Sequence, residues 1–116
     1  GKPFFANEVV IRKKLEEVIF EEGGRNTRSA HEYVRHLPPE VVAPVASQLL
    51  FRVAQSGNAV QGAKVLSFCV QSPTWSLDME EFCKLMRCAT YRLPMQATLV
   101  RLLLQLAIRV GGKPMP

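Results

Sequence analysis

The stretch "DMEEFCKLMRCATYRLPMQATLVRLLLQLAIRVGG", residues 78–112, reads as two helices and the break between them. Asp78 with Glu81 three residues on is the aspartate form of a capping box, in which each side chain can accept from the other residue's backbone N–H. Met79, Phe82, Leu85, Met86 and Ala89 then return at helical spacing as one apolar stripe. Tyr91 to Leu93 leads to Pro94, whose fixed φ and missing N–H suit the first turn of a second helix. That last helix is apolar at Leu99, Val100, Leu102, Leu103, Leu104, Leu106, Ala107, Ile108 and Val110. Such breadth predicts burial over most of its surface and a central place in the fold. Gly111-Gly112 closes it.

Working outward, the same punctuation divides the rest of the chain. Asn7 is a good N-cap for a helix from Glu8 to about Glu22, stopped by Gly23-Gly24. Ile11, Leu15, Val18 and Ile19 form its apolar face, with Glu8/Arg12 and Lys13/Glu17 as i, i+4 pairs elsewhere. Asn26 or Thr27 caps a short second helix carrying Ala30, Tyr33, Val34 and Leu37, ended by Pro38-Pro39. Pro39 suits the first turn of a third helix, but Pro44 requires either a start near Ala43 or a kink. Val45, Leu49, Leu50 and Val53 are its core stripe, and Ser56-Gly57-Asn58 closes it. Ala59 to Gln71 is a fourth helix, broken by Ser72-Pro73-Thr74. No alternating strand pattern competes. The expected fold class is therefore all-α: about six antiparallel helices in three hairpins, over 8–37, 39–71 and 78–110, forming a compact bundle or a short repeat-like array.

The stretch "LLFRVAQSGNAVQGAKVLSFCVQSP" (49–73) has an apolar first helix, a turn at Gly57, a small Ala63 and a closing proline. It resembles one tetratricopeptide or pentatricopeptide unit, and "EEFCKLMRCATYRLP" (80–94) resembles the second helix of such a unit. The resemblance implies a helical-hairpin repeat architecture and carries no functional residues over.

The chain has 116 residues, 47% hydrophobic and 22% charged, enough for one domain with a real core. A single helical domain with an ordered core over about 7–111 is expected, excised from a larger protein. The net charge of +5 is uneven: residues 1–40 balance, and from Cys83 onward there are six basic residues and no acid. A field of that sign attracts nucleic acid, acidic protein segments or anionic lipid heads. Leu37 to Phe51, a long stretch poor in charge, holds three prolines and Glu40, so no membrane span is expected. Cys69, Cys83 and Cys88 are odd in number, lack a C-x-x-C spacing and sit among apolar neighbours. Small buried thiols in a reducing intracellular setting, cytoplasmic or nuclear, are expected.

His31 and His36 are five apart and lack a third ligand, so no metal and no cofactor are expected. Nothing marks a cysteine as an activated nucleophile, and Asp78 is accounted for as a cap, so the chain does not read as an enzyme. Two functions survive. The first is a protein–protein interaction domain, scaffold or adaptor, that binds a partner or a second copy of itself. Its expected surface is an apolar face of the C-terminal helices around Arg87, Leu99, Arg101, Leu102 and Arg109, with Arg101, Gln105 and Arg109 on one narrow stripe. Phe4-Phe5, Trp75 and Leu77, in connecting segments, are either partly exposed or, for the phenylalanines, stapled onto the first helix. The alternative is an RNA- or DNA-binding helical module, with Arg25, Arg28, Tyr33 and Arg35 as the best basic-aromatic patch.

Overall fold

The computed structural model describes residues 3–21, 27–56, 58–73, 75–92 and 97–111. Among these residues there are six helices and no strand: α1 (Pro3–Glu21), α2 (Arg28–Val34), α3 (Pro39–Ser56), α4 (Ala59–Gln71), α5 (Met79–Arg92) and α6 (Ala97–Gly111). The fold class is all-α. α1, α3 and α5 lie side by side in one row, and α4 and α6 pack together in a second. α3 packs on α4, α5 on α6, and α1 on α2, so the chain stacks three hairpins with the middle one enclosed.

Local chemistry explains most boundaries. The Asp78–Glu81 capping box forms as expected: the Glu81 N–H donates to Asp78 Oδ1 at 2.7 Å, and the Asp78 N–H to Glu81 Oε1 at 3.3 Å. Asn58 caps α4 by accepting from the Gln61 N–H at 3.0 Å. α1 begins at Pro3, so Asn7 lies inside the helix rather than capping it. A proline at a first helical position is already set for the helix, and it carries the start upstream of Asn7. Thr27 does occupy the N-cap position of α2, but its side chain makes no cap bond. Its buried hydroxyl donates instead to Gln71 Oε1 at the end of α4. α2 stops at Val34, leaving Leu37 beyond the helix though packed on the core.

At Pro44 the structure excludes a late start of α3. The helix starts at Pro39, where the Pro38 carbonyl accepts from the N–H groups of Val41 and Val42, and it runs through Pro44 without restarting. The donor lost at position 44 falls near the helix start, and the ring faces outward. The inner face of α3 is a wide band of Val45, Ala46, Leu49, Leu50, Val53 and Ala54, all buried.

The most enclosed helix is α4, with Ala59, Gly62, Val65, Leu66, Phe68, Cys69 and Val70 buried. This corrects the expectation that the last helix is central. α6 buries only Leu99, Leu103, Leu106 and Val110 among its described residues. α4 and α5 cover one side of α6, and Leu104 and Ile108 on the opposite side face out. Trp75 and Leu77 are also corrected: both are buried, Trp75 only 3% exposed, with its indole N–H donating to Ser47 Oγ at 2.9 Å. A buried tryptophan needs such an acceptor, and α3 supplies it. Met79, expected in the α5 stripe, is exposed, whereas Leu85 and Ala89 are buried and Phe82 and Met86 pack against the core. Glu16 on α1 pairs with Arg52 of α3 at 3.6 Å. The side chains of Phe4 and Phe5 lie outside the described residues.

Pro44→Ala restores one backbone donor and relieves the ring's crowding of the preceding turn. It also loosens the unfolded chain, which offsets part of the gain. The expected net effect is a stabilisation of a few tenths to ~1 kcal/mol, read by thermal or urea denaturation; a clear loss would show that the ring's fixed φ orients the helix.

Candidate functional site

α6 divides into an anchored flank and an uncovered face. Arg109 supplies the anchor. Its guanidinium donates to the carbonyls of Ser72 at 3.0 Å, Trp75 at 2.9 Å and Cys69 at 3.5 Å, and through Nη2 to Val70. These oxygens surround the C-terminus of α4, where a positive charge also meets the negative end of the helix dipole. Arg109 is therefore engaged within the fold and not presented to a partner. Leu99 is buried, and Leu102 is half-buried with part of its surface against the core.

Arg101 is exposed, and so is a stripe that the sequence did not single out: Val100, Leu104 and Ile108, 38%, 59% and 74% exposed. At i, i+4, i+8 these three lie along one side of the helix. Exposure of this kind is normal for one residue and unusual for a row. The sequence held the signal, since an entirely apolar helix with one narrow polar stripe has more apolar surface than a small domain can cover. On α5, Arg87 lines a shallow cavity of about 360 Å³ with Lys84, Cys88 and the exposed Tyr91.

Of the basic-aromatic patch expected around α2, three residues fall within the described residues. Arg25 lies outside the described residues. Arg28 is exposed and engaged in an interaction of its own. Arg35 is paired to Glu32 at 3.3 Å. Tyr33 packs against the core, where burial pushes its phenol above the usual value. His31 stacks on Phe68, ring centroids 4.6 Å apart and planes 28° from parallel. Its Nε2 is buried without a partner. Burial pushes its pKa below the ordinary 6.5, with a hydrogen bond to Gln71 opposing.

The thiols differ from one another. Cys69 is fully buried, its pKa pushed far up by desolvation against the opposing charge of Arg109, and its Sγ lies 3.9 Å from the Ala46 carbonyl. It is a small inert hydrophobe. Cys88 is half-buried, but Cys83 is exposed, which corrects the expectation that all three sit inside. Among the described residues no group of three His, Cys, Asp or Glu side chains could hold a metal ion, and no helix is long and apolar enough to cross a membrane.

Compared with protein-family models, curated proteins and solved structures, the chain matches none.

Two outcomes follow from this geometry. Arg109→Ala removes the donor to the Val70 and Trp75 carbonyls, while those of Cys69 and Ser72 keep a backbone N–H; it should cost ~2–3 kcal/mol in denaturation, while Arg101→Ala should stay within ~0.5 kcal/mol. Equal effects at the two positions would remove the anchor role. For His31, the folded state disfavours the proton, so the unfolded chain binds it more readily. Stability is then fully present above about pH 6.5 and is lost as pH falls toward the depressed folded value. The melting temperature should fall between about pH 7.5 and about pH 5.5 by more in the native chain than in His31→Phe, which keeps the stack and cannot titrate.

Proposed function

We propose that the chain is a non-catalytic protein-interaction domain that binds an amphipathic, acidic helix of a partner protein along the outer face of α6. The observation that carries this is the exposed row Val100, Leu104 and Ile108 beside the exposed Arg101. Fully covering a leucine or isoleucine side chain contributes ~1.5–3 kcal/mol, so even three such residues give a useful docking strip. Charge selects the occupant. No acid occurs from Cys83 onward, while Lys84, Arg87 and Arg101 are exposed on the same hairpin. In a second copy packed antiparallel on α6, Arg101 would meet only further basic and neutral residues, an arrangement that costs affinity. Glutamates flanking an apolar partner face meet no such penalty. The three free thiols fit a reducing compartment as its setting.

The test uses the whole domain and a synthetic helical peptide with leucines on one face and glutamates beside them, against a twin carrying lysines for the glutamates. Amide shifts on titration should map to residues 97–111, and the glutamate peptide should bind at least about ten-fold more tightly than the twin. Leu104→Glu and Ile108→Glu, both outward-facing, should abolish binding and leave the helical spectrum unchanged. No shifts on α6 would overturn the proposal. A dimer in sedimentation that Ile108→Glu dissolves would instead make a second copy the occupant. An RNA oligonucleotide bound in place of the peptide, with steep salt dependence, would make the domain a nucleic-acid module.

A further inference from the structure

A second surface lies away from α6, on the row formed by α1, α3 and α5. The outer side of α3 is the floor of an open groove, lined by Pro44, Ser47, Gln48, Phe51, Arg52 and Gln55, with Arg12 of α1 as one wall and Glu81 of α5 at one end. The groove is about 690 Å³ in volume. A further hollow of about 380 Å³ shares Arg52 and Gln55 with it and extends it past Phe20 to Gln61. From Pro44 to Ser56 the floor is ~18 Å long, room for about five residues of extended chain.

Its chemistry is mixed in a specific way. Phe51 and Phe20 are half-buried and offer apolar contact. Gln48 and Gln55 are exposed amides, each able to donate to and accept from a peptide backbone. Ser47 Oγ already accepts from Trp75, which leaves its hydroxyl proton free to donate into the groove. The charges are unequal. Arg52 is paired with Glu16 at 3.6 Å, but Arg12 has no ion pair among the described residues. The Arg12 Nε is shielded from solvent and has no hydrogen-bond partner. Arg12 is half-buried, so its charge is held at the groove without a carboxylate among the described residues to neutralise it.

We infer that this α1–α3 groove binds an extended peptide segment whose carboxylate side chain meets Arg12 while a neighbouring apolar side chain rests on Phe51. A carboxylate matches the charge of the Arg12 guanidinium and meets it at the Nη groups, which are not among its buried atoms. The amides of Gln48 and Gln55 then hold the peptide backbone. Glu16 and Glu81 in the lining argue against a nucleic acid, because a run of phosphates would pass both carboxylates, whereas a peptide can present its single acid to Arg12 alone. The site is independent of the α6 face: none of its lining residues belongs to α6.

The probe is a capped five-residue peptide with one central glutamate among leucines, compared with its twin carrying glutamine in that place and with a uridine oligonucleotide. NMR titration of the full chain should move the Arg12 guanidinium resonances and the side-chain amides of Gln48 and Gln55. The glutamate peptide should bind at least about ten-fold more tightly than the glutamine twin. Arg12→Gln should remove that preference and leave the twin's affinity unchanged. Gln48→Glu, exposed on the floor, should weaken the glutamate peptide without touching the fold, and serves if Arg12→Gln perturbs folding. Leu104→Glu should have no effect, which separates this groove from α6. Failure to saturate at millimolar peptide, an unchanged preference in both groove variants, or displacement of the peptide by the oligonucleotide would overturn the inference.

Discussion

The guanidinium of Arg109 reaches from α6 to the carbonyls of Val70, Ser72 and Trp75, where α4 ends and the chain turns toward α5. A helix ends with carbonyls that its own turns cannot satisfy. Many helices resolve this with a glycine in left-handed conformation just past the end. Here the chain leaves through Ser72 with extended dihedrals, φ −80° and ψ 116°, and side chains take over. The Ser72 hydroxyl donates to Phe68 and its N–H to Cys69, while Arg109 takes the oxygens further along. One side chain therefore ties the last helix to the most enclosed one and to the segment that carries Trp75. Trp75 in turn bonds to Ser47 of α3, so the tie continues into the middle hairpin.

This anchor also fixes how α6 is turned about its axis. Successive residues step about 100° around a helix. With Arg109 directed at α4, Leu106 and Val110 turn inward beside it, and Ile108 and Leu104 turn away. The exposed stripe is thus the geometric consequence of an interaction made on the neighbouring flank. α6 and α4 also run alongside with their C-terminal ends together, which places the terminal hairpin as a layer over the middle one and leaves its far side uncovered.

Much of this was legible from sequence because it depends on local rules. The capping box at Asp78, the apolar band of α3 and the span of α4 follow from side-chain chemistry within a few residues, and they form as read. What sequence pattern could not carry was the choice among apolar residues. Nine apolar positions on the last helix read as burial all round, yet only contacts with α4 and α5 decide which four go inside. Trp75 and Leu77 looked like loop residues because nothing local shows that the segment crosses the core. Arg109 looked like a partner-facing charge because it shares its stripe and its chemistry with Arg101, two turns earlier, which is exposed. The groove was missed for a related reason: Arg12, Gln48 and Gln55 each sit in ordinary polar positions, and only the packing of α1 on α3 brings them to one surface.

Two departures from local rules line one groove, while a third, the unpartnered His31 Nε2, lies away from it. Pro44 stands inside a helix where a donor is needed, and the Arg12 Nε is buried without an acceptor. Each costs stability that a plain alanine or a shorter side chain would not. Chains that follow their local rules elsewhere tend to depart from them where a surface does something besides hold the fold. At Pro44 the departure adds a rigid apolar wall to the groove, and at Arg12 it leaves a charge held beside the floor with bonding capacity unspent. The α6 face differs in kind: it breaks no hydrogen-bond rule and offers only uncovered apolar area beside a charge. Apolar area gives affinity with little discrimination, whereas an oriented guanidinium and amide side chains discriminate between ligands of similar size. On the two proposals, the α6 face would hold a helix and the α3 groove would select a short sequence.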